Sequence, residues 1–135
     1  WGEESGSSRP ITINQEDIRE LQLAKGAITA GIKVLQKELA IKKDQIAEVY
    51  LAGAFGSCIN PVSAMAIGLI PAMPPGRVKA VGNAAGAGAK LALLSRSARK
   101  QAAGIAREVR YIELSGRPDF QEAFLNAMYF PNLRR

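Results

Sequence analysis

Histidine is absent from the 135 residues, and cysteine occurs once, at Cys58. The first absence removes every Ser-His-Asp or Cys-His nucleophile and every imidazole metal ligand from the chain's own chemistry. A lone thiol allows no internal disulfide and no cysteine cage for zinc or an iron–sulfur cluster, which fits a reducing cytoplasm. No apolar run reaches the ~18 residues that a membrane span needs. The most apolar stretch, Val62 to Met73, is broken by Gly68 and Pro71. The chain therefore reads as soluble, with no membrane partner. Residues 1–10 have neither the basic start nor the apolar centre of a signal peptide and read as a linker or trimmed end with more protein upstream. Residues 11–135 read as one α/β domain.

What is present is a hydrophobic content of 47%, enough for one compact core, and a net charge of +6 from 18 basic and 12 acidic residues. The basic residues are spread among the acidic ones. Arg96, Arg99, Lys100, Arg107 and Arg110 gather in one segment and read as a solvated face rather than a nucleic-acid site, since no recognition motif accompanies them.

The pattern turns helical after Asn14, a candidate N-cap, with Ile18, Leu21, Ala24, Ile28, Ile32, Leu35 and Leu39 at helical spacing, and predicts a helix to about Glu38. A polar break at Lys42–Gln45 leads to a strand over Glu48 to Leu51, whose centre reads as buried. Asn60-Pro61 starts a short helix that Gly68 stops. Pro71, Pro74, Pro75 and Gly76 lead to a second strand at Arg77 to Val81. A helix to about Leu94 follows, then a helix capped by Ser95 or Ser97 through Ala106. Val109 to Leu114 alternates as a third strand would, and Asp119 to Met128 carries Phe120 and Phe124 at helical spacing, read as core. This order of elements predicts a layered α/β domain with a partly parallel sheet flanked by helices.

Two small-residue turns follow the first two strands: Ala52-Gly53-Ala54-Phe55-Gly56 and Gly82-Asn83-Ala84-Ala85-Gly86-Ala87-Gly88-Ala89. Turns with little or no side chain let a ligand approach the main chain and its free N–H groups, as nucleotide sites do at helix N-termini. The same residues also let a helix pack closely on a strand, and neither turn is a Walker P-loop or a G-x-G-x-x-G fingerprint. Both readings stand on residue types alone. Asn83 is likewise open between contacting a ribose or phosphate and capping the following helix. Cys58 has no base near it in sequence and reads as structural. No acidic pair has the spacing of a catalytic or metal site, so no catalytic residue and no metal ligand is assigned.

The first turn resembles the adenosine motif in the second lobe of the acetate kinase, sugar kinase, heat-shock chaperone and actin superfamily, with Ala52-Gly53 in place of the usual Gly-Gly. More closely, Arg19–Ile28, Ala52–Gly56, Gly68–Pro71, Val81–Ala89, Arg117–Gln121 and Met128–Pro131 together resemble, in order over Ile11 to Pro131, the C-terminal domain of the ATP-dependent reductive activators of corrinoid proteins. The resemblance implies an actin-like, ribonuclease H-like second-lobe fold. It also implies a nucleotide-binding role in reducing a corrinoid or corrinoid/iron-sulfur protein from Co(II) to Co(I). Ala52, Gly53, Ala54, Phe55, Gly56, Gly82, Asn83 and Gly86 are then the cofactor-contact candidates. ATP would bind with Mg in the full-length protein, and the [2Fe-2S] centre would lie in a separate domain absent here. Implied partners are the corrinoid protein, the remaining domains of the same polypeptide and a second copy in a homodimer. The alternative is a docking or dimerisation module of the same protein without nucleotide contact.

Overall fold

The computed structural model describes residues 12–131, so the tail expected at residues 1–10 lies outside the described residues. The elements run α1 (Gln15–Glu38), β1 (Val49–Ala52), α2 (Gly53–Cys58), α3 (Pro61–Ala66), β2 (Val78–Gly82), α4 (Ala84–Leu94), α5 (Arg96–Glu108) and α6 (Pro118–Met128), with single 3₁₀ turns at Lys43–Gln45 and Pro75–Arg77.

Local chemistry sets most of the boundaries. The Asn14 side chain accepts from the N–H groups of Glu16 (2.8 Å) and Asp17 (3.0 Å), while Asp17 accepts from the Asn14 N–H at 2.8 Å, a reciprocal capping box. Asn60 and Ser95 cap α3 and α5 by accepting alone, from the N–H groups of Val62 and Ser63 and from that of Ala98. Helix α3 ends in a Schellman pair, with the Leu69 N–H on the Ala64 carbonyl (2.9 Å) and the Gly68 N–H on that of Met65 (3.1 Å). Gly68 makes this possible at φ +77°, and a Cβ there would stand 2.9 Å from Pro131 Cγ.

Strands β1 and β2 pair in parallel, Val49 with Val78 through Ala52 with Gly82, with an irregularity after Leu51 that leaves Val81 as the extra residue. Around them Ala64, Leu69, Ile70 and Val78 are buried, with Val49, Leu51, Ile59 and Met65 packed against the cluster. A second layer forms where α6 lies along α1. Gly26 lets the two helices close up, since a Cβ there would sit 3.2 Å from Met128 Cγ and 3.3 Å from Phe124. Ala30, Val34 and Ala127 are buried.

Among the described residues, one polar or charged side chain is buried in this frame. Lys25, 2% exposed, donates from Nζ to the carbonyls of Ala127 (2.6 Å) and Tyr129 (2.7 Å) and lies 5.2 Å from the Phe130 ring centroid. These carbonyls sit at the negative end of the α6 dipole, where a cation is favoured. Burial, and then the nearby Lys33 charge, pull the Lys25 pKa below the usual lysine value. At the other end of the helix pair, Arg117 holds Asp119 bidentately (2.9 Å twice) and reaches Glu38 at 2.7 Å, while Lys37 reaches Asp119 at 3.0 Å.

Three expectations need correction. Residues 109–114 form no strand. Their alternation is local: an extended backbone puts residues two apart on one side, so the hydroxyl of Tyr111, which is 83% exposed, donates to Glu113 at 2.5 Å without any partner strand. The centre of β1 is only half covered. Val49 and Leu51 face the core, whereas Tyr50 is 57% exposed and its hydroxyl donates to Glu48. Phe120 and Phe124 are half-buried against α1, stacked with centroids 6.2 Å apart.

Two predictions follow from the α1–α6 contact. Lys25→Met keeps the apolar stem but leaves two carbonyls without donors, and chemical unfolding should show a loss of about 1–3 kcal/mol. Asp119 titrates well below the ordinary carboxylate value of 3.8, chiefly because Arg117, then Lys37, hydrogen-bonds its charged form. A depressed folded-state pKa contributes stability above the unfolded value that is lost as pH falls below it. The gap in melting temperature between the parent chain and Asp119→Asn should therefore be widest near neutrality and shrink below pH 3.8.

Candidate functional site

Parallel pairing brings the two small-residue turns together. Ala52, the last residue of β1, is the register partner of Gly82, the last of β2, so both turns lie at the carboxyl end of the strands. Open α/β sheets place ligands at that end, because helix N-termini and unpaired N–H groups converge there.

Of the five glycines in these turns, the four candidates for contact divide into two kinds. Gly53 has φ +82° and Gly82 φ +61°, and a Cβ built on either meets nothing within 4 Å. Their backbone conformation favours glycine, and the space beside them is open. At Gly56 a Cβ would fall 2.6 Å from the Leu51 carbonyl carbon, so this glycine is required for α2 to fold back on β1. At Gly86 a Cβ would fall 2.6 Å from Asn83 Nδ2. The Asn83 side chain accepts the Gly86 N–H at 2.9 Å as the cap of α4, and Gly86 leaves room for it.

Of the eight candidates, Ala52, Gly53, Gly82 and Asn83 therefore lie at the adjacent carboxyl ends of β1 and β2, with open space beside Gly53 and Gly82. Gly56 and Gly86 have packing and capping reasons of their own. Ala54 and Phe55 belong to α2, which starts directly at Gly53; Ala54 is exposed. None of the eight is ionisable, so whatever the turns hold is met by main chain and amide dipoles. The ionisable groups near the strands lie elsewhere: Glu48 accepts from Lys79 and Tyr50, and those bonds, the Lys79 one foremost, lower its pKa.

Open, positive-φ glycines at the strand ends fit the adenosine side of a nucleotide, which needs bare main chain. An iron–sulfur cluster does not fit, because Cys58 is the single thiol and no group of three or more His, Cys, Asp or Glu able to hold a metal occurs among the described residues. Sequence reasoning gave Lys25 no role. The available signal was its position on the apolar stripe of α1, seven residues from both Ile18 and Ile32.

The whole chain, residues 1–135, matches the family described as the C-terminal domain of RACo, the ASKHA domain. The corrinoid activation enzyme RamQ of Eubacterium limosum is 38% identical over 131 residues, covering 96% of this chain and 22% of RamQ. Among solved structures, a reductive activator for corrinoid, iron-sulfur protein superposes with a TM-score of 0.87 at 37% identity, over 97% of this chain and 21% of that protein. The chain thus spans about a fifth of the length of the relatives it matches.

The two kinds of glycine should separate on substitution. Gly56→Ala, with backbone 2.6 Å from the new methyl, should destabilise by about 1–3 kcal/mol through overpacking. Gly53→Ala, with open space but positive φ, should cost about 1–2 kcal/mol, from backbone strain alone. Chemical unfolding of the two single variants measures both costs.

Proposed function

The chain belongs to the family of C-terminal ASKHA domains of RACo, and on that premise we propose that it is the nucleotide-binding lobe of an ATP-dependent reductive activator of corrinoid proteins. The observation that carries this reading is the pairing of Ala52 with Gly82, which sets Gly53 and Gly82, both at positive φ, beside open space at the carboxyl end of β1 and β2. The adenosine moiety would lie against Ala52, Gly53 and Gly82. The amide nitrogen of Asn83, whose oxygen is committed to the α4 cap, remains free to donate.

Phosphate-side groups, Mg and the redox centre would belong to other parts of a longer polypeptide. Hydrolysis of the nucleotide would drive an uphill electron transfer from the redox centre to Co(II) in the corrinoid partner, giving Co(I), only if the nucleotide states stabilise different conformations. In such a protein this chain contributes one rigid wall: two strand ends and the capped start of α4. Closure of a companion lobe over that wall would couple the nucleotide state to the partner.

A docking or dimerisation role without nucleotide contact has one observation in its favour. Leu91, Leu93 and Leu94 on α4, with Ile105 on α5, are exposed, Leu93 at 77%, and none of the α4 residues is buried. Nucleotide titration of the full-length activator distinguishes the two. Gly53→Asp should weaken ATP and ADP binding at least about tenfold. The matched control is Gly116→Asp, at φ +77° with no atom near its Cβ in a loop far from the turns in sequence, which carries the same backbone strain and should leave affinity unchanged. Equal affinity in both variants would leave the docking role standing.

A further inference from the structure

A cavity of about 500 Å³ opens between α1, the loop after α3 and the segment after α6. Its size falls within the range of small-molecule sites, about 300–1,000 Å³. It shares no residue with the glycine turns. Lys43 and Ala72 on its rim lie on the loops that enter the amino ends of β1 and β2, so it sits at the opposite end of the strands from the proposed nucleotide wall.

Its charge is one-sided. Lys25, Lys33 and Lys43 line it, no Asp or Glu does, and none of the three lysines makes an ion pair among the described residues. Lys33 and Lys43 are exposed at the mouth, while Lys25 is buried at the inner wall. The Lys25 ammonium has three N–H donors and spends two on the carbonyls of Ala127 and Tyr129. A buried cation with neutral partners alone is electrostatically incomplete, and burial together with Lys33 disfavours its charged form. The remaining wall is apolar, with Ile32, Ile70 and Phe130. The Thr29 hydroxyl lies 2.6 Å from the Gly68 carbonyl and 2.8 Å from that of Lys25, so it is occupied holding α1 to the end of α3 and is not a free ligand.

We propose that this cavity binds a small amphipathic anion, its charged head between the three lysines and its apolar body against Ile32, Ile70 and Phe130. The head is a carboxylate or a phosphate monoester, both of which accept from ammonium groups. Because the walls belong to α1, the α3–β2 loop and the α6 end, an occupant bridges the helical layer and the sheet layer.

The test is calorimetric titration of the full-length protein with phenyl phosphate, benzoate and the neutral benzyl alcohol. At least one anion should bind saturably, and the alcohol at least about tenfold more weakly. The stronger anion identifies the head group. Replacing the two exposed lysines together, Lys33→Gln with Lys43→Gln, leaves the Lys25 contacts intact and should lower anion affinity at least about tenfold. The same binding should persist in Gly53→Asp, which keeps this result independent of the nucleotide reading. No saturable binding of either anion, equal binding of the alcohol, or an unchanged affinity in the double variant overturns the proposal.

Discussion

The Lys25 ammonium, held between α1 and the carbonyls at the end of α6, joins the first and last described helices. A buried lysine is costly unless its donors are met, and here the acceptors are the orphan carbonyls that any helix leaves at its C-terminus. One residue thus answers two unmet needs. The consequences spread outward: Tyr129 to Pro131 are fixed beside the end of α3, Pro131 lies against Gly68, and Thr29 bonds the Gly68 carbonyl. Through these contacts the helical layer is registered on the sheet layer that carries the glycine turns.

Within the sheet layer the glycines have different reasons for being glycine. Gly56 and Gly86 make room for protein, a strand carbonyl in one case and a capping amide in the other. Gly53 and Gly82 make room for nothing in this chain and are glycine because of their backbone angles. A small-residue stretch is therefore not uniformly a ligand site or uniformly a packing device. Positions set by contact and positions set by backbone angle alternate along three or four residues, which is why composition could not separate them.

The fold also leaves apolar surface exposed. A parallel sheet is ordinarily buried on both faces, and two strands form an unusually small one. Here Lys79, Ala80 and Val81 of β2 are exposed, and α4, composed almost wholly of alanine, glycine and leucine, has no buried residue. With relatives about five times as long, these faces are where the proposed companion lobe would close on the nucleotide wall.

Local rules determined a good deal from the sequence by itself. Capping residues Asn14, Asn60 and Ser95, the stop at Gly68, the two strands and the ordered small-residue segments that carried the family resemblance all depend on neighbours within a few positions. The strand expected at residues 109–114 failed because alternation reports only which side chains share a side; a strand also needs a partner, and none is supplied. Tyr50 was misjudged for the same reason, since burial depends on what covers a face. Tertiary structure alone decided that Lys25 lies inside, that Ala52 meets Gly82, and that three lysines distant in sequence surround one cavity. Each of these depends on contacts between segments tens of residues apart, and no local pattern encodes the distance between them.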